Sequence, residues 1–447
     1  MQLDTKTLPD GPSLTPQQQA FAWAARPLQF LSECAAAHGD EFSLRLPGLD
    51  PVVLFGHPEA LREIFTADPM ALYAGRGNGF LEPILGPSSL LCVDGRQHAR
   101  MRRLMAPALS SSRNARHGET IRELTRLKVE SWLSAPWISL QDEMSQLTLD
   151  VILHALIGTE ETDERRRIKK SSAAILKMAN TGAVFGPPAD EGSQISLQKR
   201  LDDQLSEYRG ALIATINKRR AGAMPQGGVL DLLMDAHDPA GDRLTDSELC
   251  DQGLTLLLAG HETTATTLTW CIEALLLRAE IMARLTAEVD ELGEEPTLSD
   301  VEGAPYLQAV LNETLRWMPV LPAVSARLVM KPVTVMGRTY QKGVHLLPCP
   351  YLTHRREELY PQAEEFRPER FLDRAFSPYE FLPFGGGPRR CIGMLFAMFE
   401  MKLILAAVLS EVRFITAATT HSRAVRRRLT VAPLGGVRVK VARRRDS

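Results

Sequence analysis

The residues best placed to do chemistry lie in Phe384–Gly393, FGGGPRRCIG, around Cys391. Consecutive glycines let a backbone turn tightly and come close to something flat or bulky. The apolar helical run Met394 to Val408 follows at once, and a helix N-terminus with exposed loop N–H groups favours negative charge. Arg389 and Arg390 add positive charge beside it. A cysteine in such surroundings is expected as a thiolate, which is a metal ligand or a nucleophile. A second stretch, Ala259 to Thr264, reads AGHETT. Ala259, Gly260, Thr263 and Thr267 fall on one helical face. A Gly inside a helix costs ~1 kcal/mol relative to Ala. Small residues there either pack against a neighbouring helix or leave room for a flat group and a diatomic ligand. A Thr hydroxyl can bond a backbone carbonyl and loosen the ladder, and Glu262 beside Thr263 supplies a carboxylate for proton relay.

Other spacings say less alone. His98 and Arg102 project from one helix face, i to i+4; a surface basic helix has the same pattern. Glu313 and Arg316 stand i to i+3, which by itself is an ordinary surface pair worth ~0.5 kcal/mol. Arg370 lies in FRPERF, Phe366 to Phe371.

These groups need elements to hold them. Glu41–Leu46 and Val52–Phe55 read as a hairpin around a Pro-Gly-Leu-Asp-Pro turn, and Pro58 starts a helix ending near Thr66. Tyr73 to Asp94 looks like an irregular loop over a cavity. Helical periodicity dominates Glu119 to Lys218, with breaks at 134–136 and 182–192. A long helix is expected from about Asp246 to Ala279 and another from Tyr306 to Trp317. Pro332–Gly343 suggests a meander turning at Gly337 and Gly343. Val412–Ile415 and Arg428–Val441 read as strands, the latter around Pro-Leu-Gly-Gly, and the basic clusters 423–428 and 443–445 as solvated termini.

A net charge of -2 over 447 residues gives no argument for nucleic acid or an anionic membrane. The six cysteines form no C-x-x-C pair, which suits a reducing cytoplasm. The N-terminus lacks a basic and then apolar leader, and the apolar stretches 254–277 and 394–409 are interrupted by charges, so no membrane anchor is expected.

The pattern F-x-x-G-x-R-x-C-x-G is matched at every fixed position, and A-G-x-[DE]-T-[TS], H-x-x-x-R, E-x-x-R and F-x-P-E-R-F occur in order around it. Together they resemble the haem-thiolate monooxygenases of the cytochrome P-450 superfamily, soluble bacterial type. The resemblance implies a mainly α fold: one triangular helical domain with a small β-rich region over 1–447, its first ~15 residues extended. It makes Cys391 the axial thiolate of heme b, in a loop with Phe384, Gly385, Arg389 and Gly393. It assigns His98, Arg102 and Arg327 to the propionates, Ala259 and Gly260 to the haem wall, and Thr263 and Glu262 to proton relay. Glu313, Arg316 and Arg370 become a buried network under the loop. The helix–loop–helix around 182–192 becomes a lid over the substrate. Phe80, Ile84, Leu90, Leu91, Val184, Leu257, Val320, Val324 and Leu429 become pocket candidates, with Arg76 nearby for a carboxylate. A fatty acid or terpenoid-like substrate follows from this aliphatic set. The co-substrate would be O2, with electrons from NAD(P)H passing through a ferredoxin or flavodoxin and its reductase. Arg103, Arg390 and Lys402 are candidate docking contacts. Two alternatives stand beside this: a peroxide-driven hydroxylase or isomerase, and a non-catalytic haem-binding protein that recruits others to a biosynthetic assembly. The acid–Thr pair argues against the first, and the intact Cys and E-x-x-R against the second.

Overall fold

The computed structural model describes residues 8–46, 51–110, 115–158, 161–180, 191–224, 227–293, 298–427 and 429–444. Its longer helices are α1 Pro16–Ala25, α2 Pro27–His38, α3 Pro58–Thr66, α4 Gly95–Met105, α5 Gly118–Leu133, α6 Leu140–Ile157, α7 Asp163–Asn180, α8 Glu191–Arg220, α9 Asp246–Leu276, α10 Ala279–Glu291, α11 Pro305–Trp317 and α12 Met394–Glu411. Among the described residues no helix is long and apolar enough to cross a membrane.

Helix α9 is the axis of the fold. Thr245 caps it, accepting from Glu248 N at 3.2 Å while Glu248 reaches back to the Thr245 N–H. Apart from the stretch Leu258–Gly260 and Thr263, its residues from Leu249 to Leu275 are buried. Helix α6 packs along it, tied by Thr148 Oγ1 to the His261 carbonyl at 2.9 Å and by Gln141 Nε2 to Thr266 Oγ1 at 3.1 Å. The helices α4 to α12 bury one continuous apolar cluster around α9.

A five-stranded sheet stands apart, in the order β1-β2-β8-β5-β3. Its strands are β1 Glu41–Leu44, β2 Val52–Phe55, β3 Leu72–Tyr73, β5 Arg327–Val329 and β8 His345–Pro348. The β1–β2 hairpin pairs Glu41 with Phe55 as its alternation requires. Residues 8–15 form no regular element, and the Asp10 carbonyl accepts from Ser43 N at 3.0 Å. The meander is the pair β6 Val333–Val335 and β7 Arg338–Tyr340, turning through Met336 and Gly337, both at positive φ.

The C-terminal region departs from expectation. The Pro-Leu-Gly-Gly turn does not fold one hairpin. Before it, β11 Thr430–Pro433 pairs backwards with β10 Ala424–Arg427; after it, β12 Arg438–Arg443 joins β9 Val412–Ile415 and β4 Ile138–Ser139. Positive φ at Gly435, Gly436 and Val437 swings the chain from one sheet to the other. Tyr73–Asp94 is also more ordered than expected, with a 3-10 turn at Arg76–Leu81 and a helical turn at Glu82–Leu85.

Candidate active site

The loop 384–393 is shaped by what it packs against. A side chain on Gly386 would meet the Phe65 ring at 2.5 Å, and one on Gly387 would meet the Phe65 carbonyl oxygen at 2.3 Å. These two glycines therefore let the loop lie flat on the end of α3. Gly393 is different: a Cβ there would find nothing within 4 Å. The space beside Cys391 is open on that side. Cys391 N donates to the Phe384 carbonyl at 2.9 Å, closing the loop. Cys391 is exposed as a residue, yet its thiol is so closely surrounded that burial is the main influence raising its pKa; the Gly393 N–H, Arg102 and Arg390 act the other way. An exposed residue with a closely surrounded thiol sits in a recess. The thiolate expected from the sequence is opposed by this burial, and a bound cation overcomes it, since coordination removes the thiol proton outright.

Beneath the loop lies a charge network in which Glu313 and Arg316 are both fully paired. Glu313 and Arg316 are wholly buried. All the guanidinium N–H groups of Arg316 are used: Nε and Nη2 on Glu313 at 2.7 and 2.8 Å, Nη1 on the carbonyls of His354 and Ala363 at 2.9 and 2.8 Å, and Nη2 again on that of Glu365 at 2.9 Å. Glu313 also accepts from Arg370 Nε at 3.1 Å and Arg367 N at 2.6 Å. His354 carries the network to the loop. Its Nε2 accepts from Leu382 N at 3.1 Å, two residues before Phe384. Burial and the two neighbouring arginines, Arg316 and Arg355, hold it neutral, its pKa well below the usual histidine value. In the sequence His354-Arg355 follows the family pattern without indicating this role, which depends on Leu382 arriving against the ring.

Four bases converge on the other flank. His98 is pulled down to about 3 by burial, with Arg389, Arg102 and Arg327 adding repulsion. Arg327 is buried and pulled down to about 9 by burial and Arg389, with Asp94 offsetting part of it. Arg102 is also lowered by burial. The carboxylate within this cluster is Asp94, and Arg389 takes it up, while also donating to the Leu90 carbonyl at 3.1 Å and to that of Val93. Among the described residues no acid forms an ion pair with Arg102 or Arg327. So much uncompensated positive charge in a desolvated site fits a ligand carrying two carboxylates, and a porphyrin with its two propionates has that charge.

On α9 the small residues divide between both readings. Ala259 is exposed and Thr263 half-buried in the middle of an otherwise buried helix. Gly260, half-buried, also packs against α6, since a Cβ there would lie 3.3 Å from Ile152. Thr267 is buried as well and faces no open space. The hydroxyl of Thr263 donates to the Ala259 carbonyl at 3.0 Å, and Thr267 donates to the Thr263 carbonyl at 2.9 Å. Glu262 is buried, with Arg427 Nε of β10 3.8 Å from its Oε1; Arg427 also reaches the exposed Asp142 at 3.5 Å. Arg427, within the basic cluster, is therefore not simply part of a solvated terminus.

A cytochrome P450 family model matches residues 9–435. This chain belongs to the cytochrome P450 family. Among curated relatives of this P450 is a Mycobacterium tuberculosis protein provisionally named cytochrome P450 135B1, 34% identical over 98% of this chain and 92% of the relative. Cyclooctatin synthase of Streptomyces melanosporofaciens is 34% identical over 87% of this chain and 86% of its own length. The retinoic acid-bound structure of cyanobacterial CYP120A1 superposes with a TM-score of 0.85 at 24% identity, covering 98% of this chain and 99% of that one. The P450 is thus a haem enzyme that uses O2, a monooxygenase in general class.

The pocket candidates are dispersed. Leu257 is wholly buried, and Ile84 and Leu90 nearly so, all within the main apolar cluster. Leu257, with no accessible surface, lines no space and is core; Ile84 and Leu90 keep 3% and 5% exposure in the same cluster. Val320 is buried too, its carbonyl accepting from Val431 N at 2.8 Å. Phe80 and Leu429 are exposed, and Leu91 is intermediate. Val324 stands beside the cysteine loop, its side chain 3.6 Å from where a Cβ on Gly385 would lie. Val184 and most of the 182–192 segment lie outside the described residues. Lys402 is not a docking contact: it is buried, donating to the Glu302 carbonyl at 3.0 Å. Arg103 and Arg390 are exposed, as is Arg76.

Proposed function

We propose that this P450 inserts one oxygen atom into an apolar substrate, by hydroxylation or epoxidation, with electrons from a separate ferredoxin or flavodoxin. The observation that carries the reading is the recessed Cys391 beside Arg102 and Arg327, with which no acid among the described residues forms an ion pair. Cys391 would supply the sulfur that holds the iron, and His98, Arg102 and Arg327 would hold the propionates of heme b. Bound there, the haem would supply O2 activation, one oxygen atom going into the substrate and the other leaving as water with two electrons and two protons.

The remaining roles belong to the chain. Phe65 and the Glu313–Arg316–His354 network hold the loop that presents Cys391. The proton of Thr263 is committed to the Ala259 carbonyl, so Oγ1 keeps its lone pairs to accept a hydrogen bond on the open side of α9. Glu262 is the carboxylate that brings protons to that hydroxyl through water, and Arg427 beside it connects it towards Asp142 at the surface. Ala259 and Val324 line the space with apolar surface, which favours apolar ligands at ~25 cal/mol per Å2 buried. The name of the curated relative cyclooctatin synthase agrees with a substrate from small-molecule biosynthesis. Exposed Arg103 and Arg390 suit an acidic electron donor.

The test is to titrate the haem-loaded protein with lipids and terpenes, then supply NADPH, ferredoxin and its reductase. A low-to-high-spin shift followed by an oxygenated product is expected. Turnover with peroxide alone, and none with the electron-transfer chain, would overturn the monooxygenase assignment.

A further inference from the structure

Away from the cysteine loop, a dense buried polar cluster joins three elements near the start of α9. Asp251 is fully buried. Its Oδ1 pairs with Arg209 of α8, and its Oδ2 accepts from Ser88 N at 3.0 Å. The next residue, Gln252, is bonded both ways, accepting from Leu90 N at 3.0 Å and donating to the Ser88 carbonyl. One turn on, Thr255 Oγ1 lies 2.7 Å from Ser89 Oγ. Residues 88, 89 and 90 are thus each held by α9. Gly86 has φ +85°, and a Cβ there would fall 2.2 Å from the Asp251 carboxylate, so the chain rests directly on that group. At its far end the same segment is gripped by Arg389 of the cysteine loop, through Leu90, Val93 and Asp94. The stretch 86–94 is therefore a strap stretched between a carboxylate on α9 and the loop that carries Cys391.

Helix α8 is docked on the same turn. Tyr208 Oη donates to the Cys250 carbonyl at 3.3 Å, and Gly253 leaves room for that hydroxyl, which a Cβ would approach to 2.7 Å. Arg209 is one-third exposed, while its partner Asp251 is not exposed at all. Without Arg209 the carboxylate would keep Ser88 N–H but stand buried without its cation. It would have to turn towards water or draw in other donors, and either movement releases the strap.

We propose that Arg209 is a positioning residue for the strap 86–94: through Asp251 it makes the docking of α8 on α9 a condition for the strap's conformation. The consequence for ligands rests on the proposed function and on Leu91, the pocket candidate of the sequence within this strap, standing beside the substrate. The strap itself can be read without it.

The experiment is hydrogen exchange on the haem-loaded full chain, comparing wild type, Arg209→Gln, Arg209→Lys and Arg220→Gln. Arg220→Gln is the control, since it removes only a surface pair between Arg220 of α8 and Asp246. In Arg209→Gln, peptides covering 86–94 should exchange about 10-fold faster, with peptides of α12 unchanged. Arg209→Lys, which keeps the charge but not the fork, should recover only part of the protection, leaving strap exchange about 3-fold faster than wild type, so it still reads the clamp if Arg209→Gln fails to fold. Arg220→Gln should match wild type. Strap exchange equal to wild type in both Arg209 variants, or acceleration equally large in α12, would overturn the clamp. The dissociation rate of 4-phenylimidazole, followed optically, adds a second reading. Faster strap exchange with faster dissociation supports both the clamp and the strap's place at the pocket. Faster exchange with unchanged dissociation supports the clamp and overturns that place.

Discussion

Replacing Arg316 by Ala tests the support beneath the cysteine loop. The substitution takes away the bidentate partner of Glu313, which is fully buried. Removing one side of a buried pair costs about 3–5 kcal/mol. Arg370 and the Arg367 N–H still face Glu313, which favours the lower end. The carbonyls lose unequally. That of Ala363 keeps Arg355 at 3.0 Å and that of Glu365 keeps Arg370 at 3.5 Å, while that of His354 loses its Arg316 bond; a stranded buried carbonyl adds about 1–3 kcal/mol. The total is about 5 kcal/mol, a large share of the 5–15 kcal/mol by which proteins are stable. For 447 residues the unfolding entropy is about 0.9 kcal/mol per kelvin, so Tm should fall by about 5 °C. The loss is local to His354, which positions Leu382, so haem incorporation should fail as well. Circular dichroism melts and haem absorbance per protein measure both. The control is Arg26→Ala, which breaks a half-exposed surface pair with Glu33 and should cost under about 1 kcal/mol. An Arg316→Ala protein that melts within 1 °C of wild type and loads haem fully, on the same ~5 °C expectation, would refute the reasoning.

Cys391→Ala should abolish the red-shifted Soret band of the ferrous CO complex, and survival of that band would remove Cys391 as the ligand. Thr263→Ala should retain substrate-induced spin shifts while NADPH consumption is diverted to peroxide; unchanged coupling of product to NADPH contradicts its proton role. Gly386→Ala places a methyl 2.5 Å from the Phe65 ring and should lower haem retention, whereas Gly393→Ala, with open space around it, should fold normally and alter only the haem spectrum. His117 and His154 are both pulled down to about 4, first by burial. A histidine held neutral in the fold contributes stability above its unfolded pKa of about 6.5, and loses it as pH falls towards 4. Urea midpoints should therefore drop between pH 7 and 5, and His117→Phe, which keeps a ring against Phe396, should make that drop shallower.

Where a residue's role depends on its neighbours along the chain, the sequence reading was close. The hairpin at 41–55, the helix from Pro58 and the α11 helix begin and end within a few residues of expectation, because caps, prolines and alternation act locally. The cysteine loop was legible because its motif is long. What the sequence could not show was the partner across space. Glu313 and Arg316 look identical as a surface pair and as a buried one; only the carbonyls of 354, 363 and 365 arriving around them decide. Lys402 sits on an apolar helix and was expected at the surface, but its ammonium finds the end of the 298–302 turn. Leu257 and Thr267 fall on the expected helix yet bury in packing, since helical spacing gives a face and not what covers it. Asp251 and Gln252 carried no motif at all, and their importance appears only when residues 88–90 lie across them.

The separation in Glu313–Arg370 also has a meaning in time. The two side chains are 57 residues apart. At about 5–20 residues per second of synthesis, Glu313 and Arg316 emerge roughly 3–11 s before Arg370 can join them. During that interval Glu313 lacks its second arginine, so α11 has reason to stay wetted and undocked on the ribosome. Arg370 comes before Cys391 in the chain. The last charge of the cradle is thus made before the residue the cradle is built to hold.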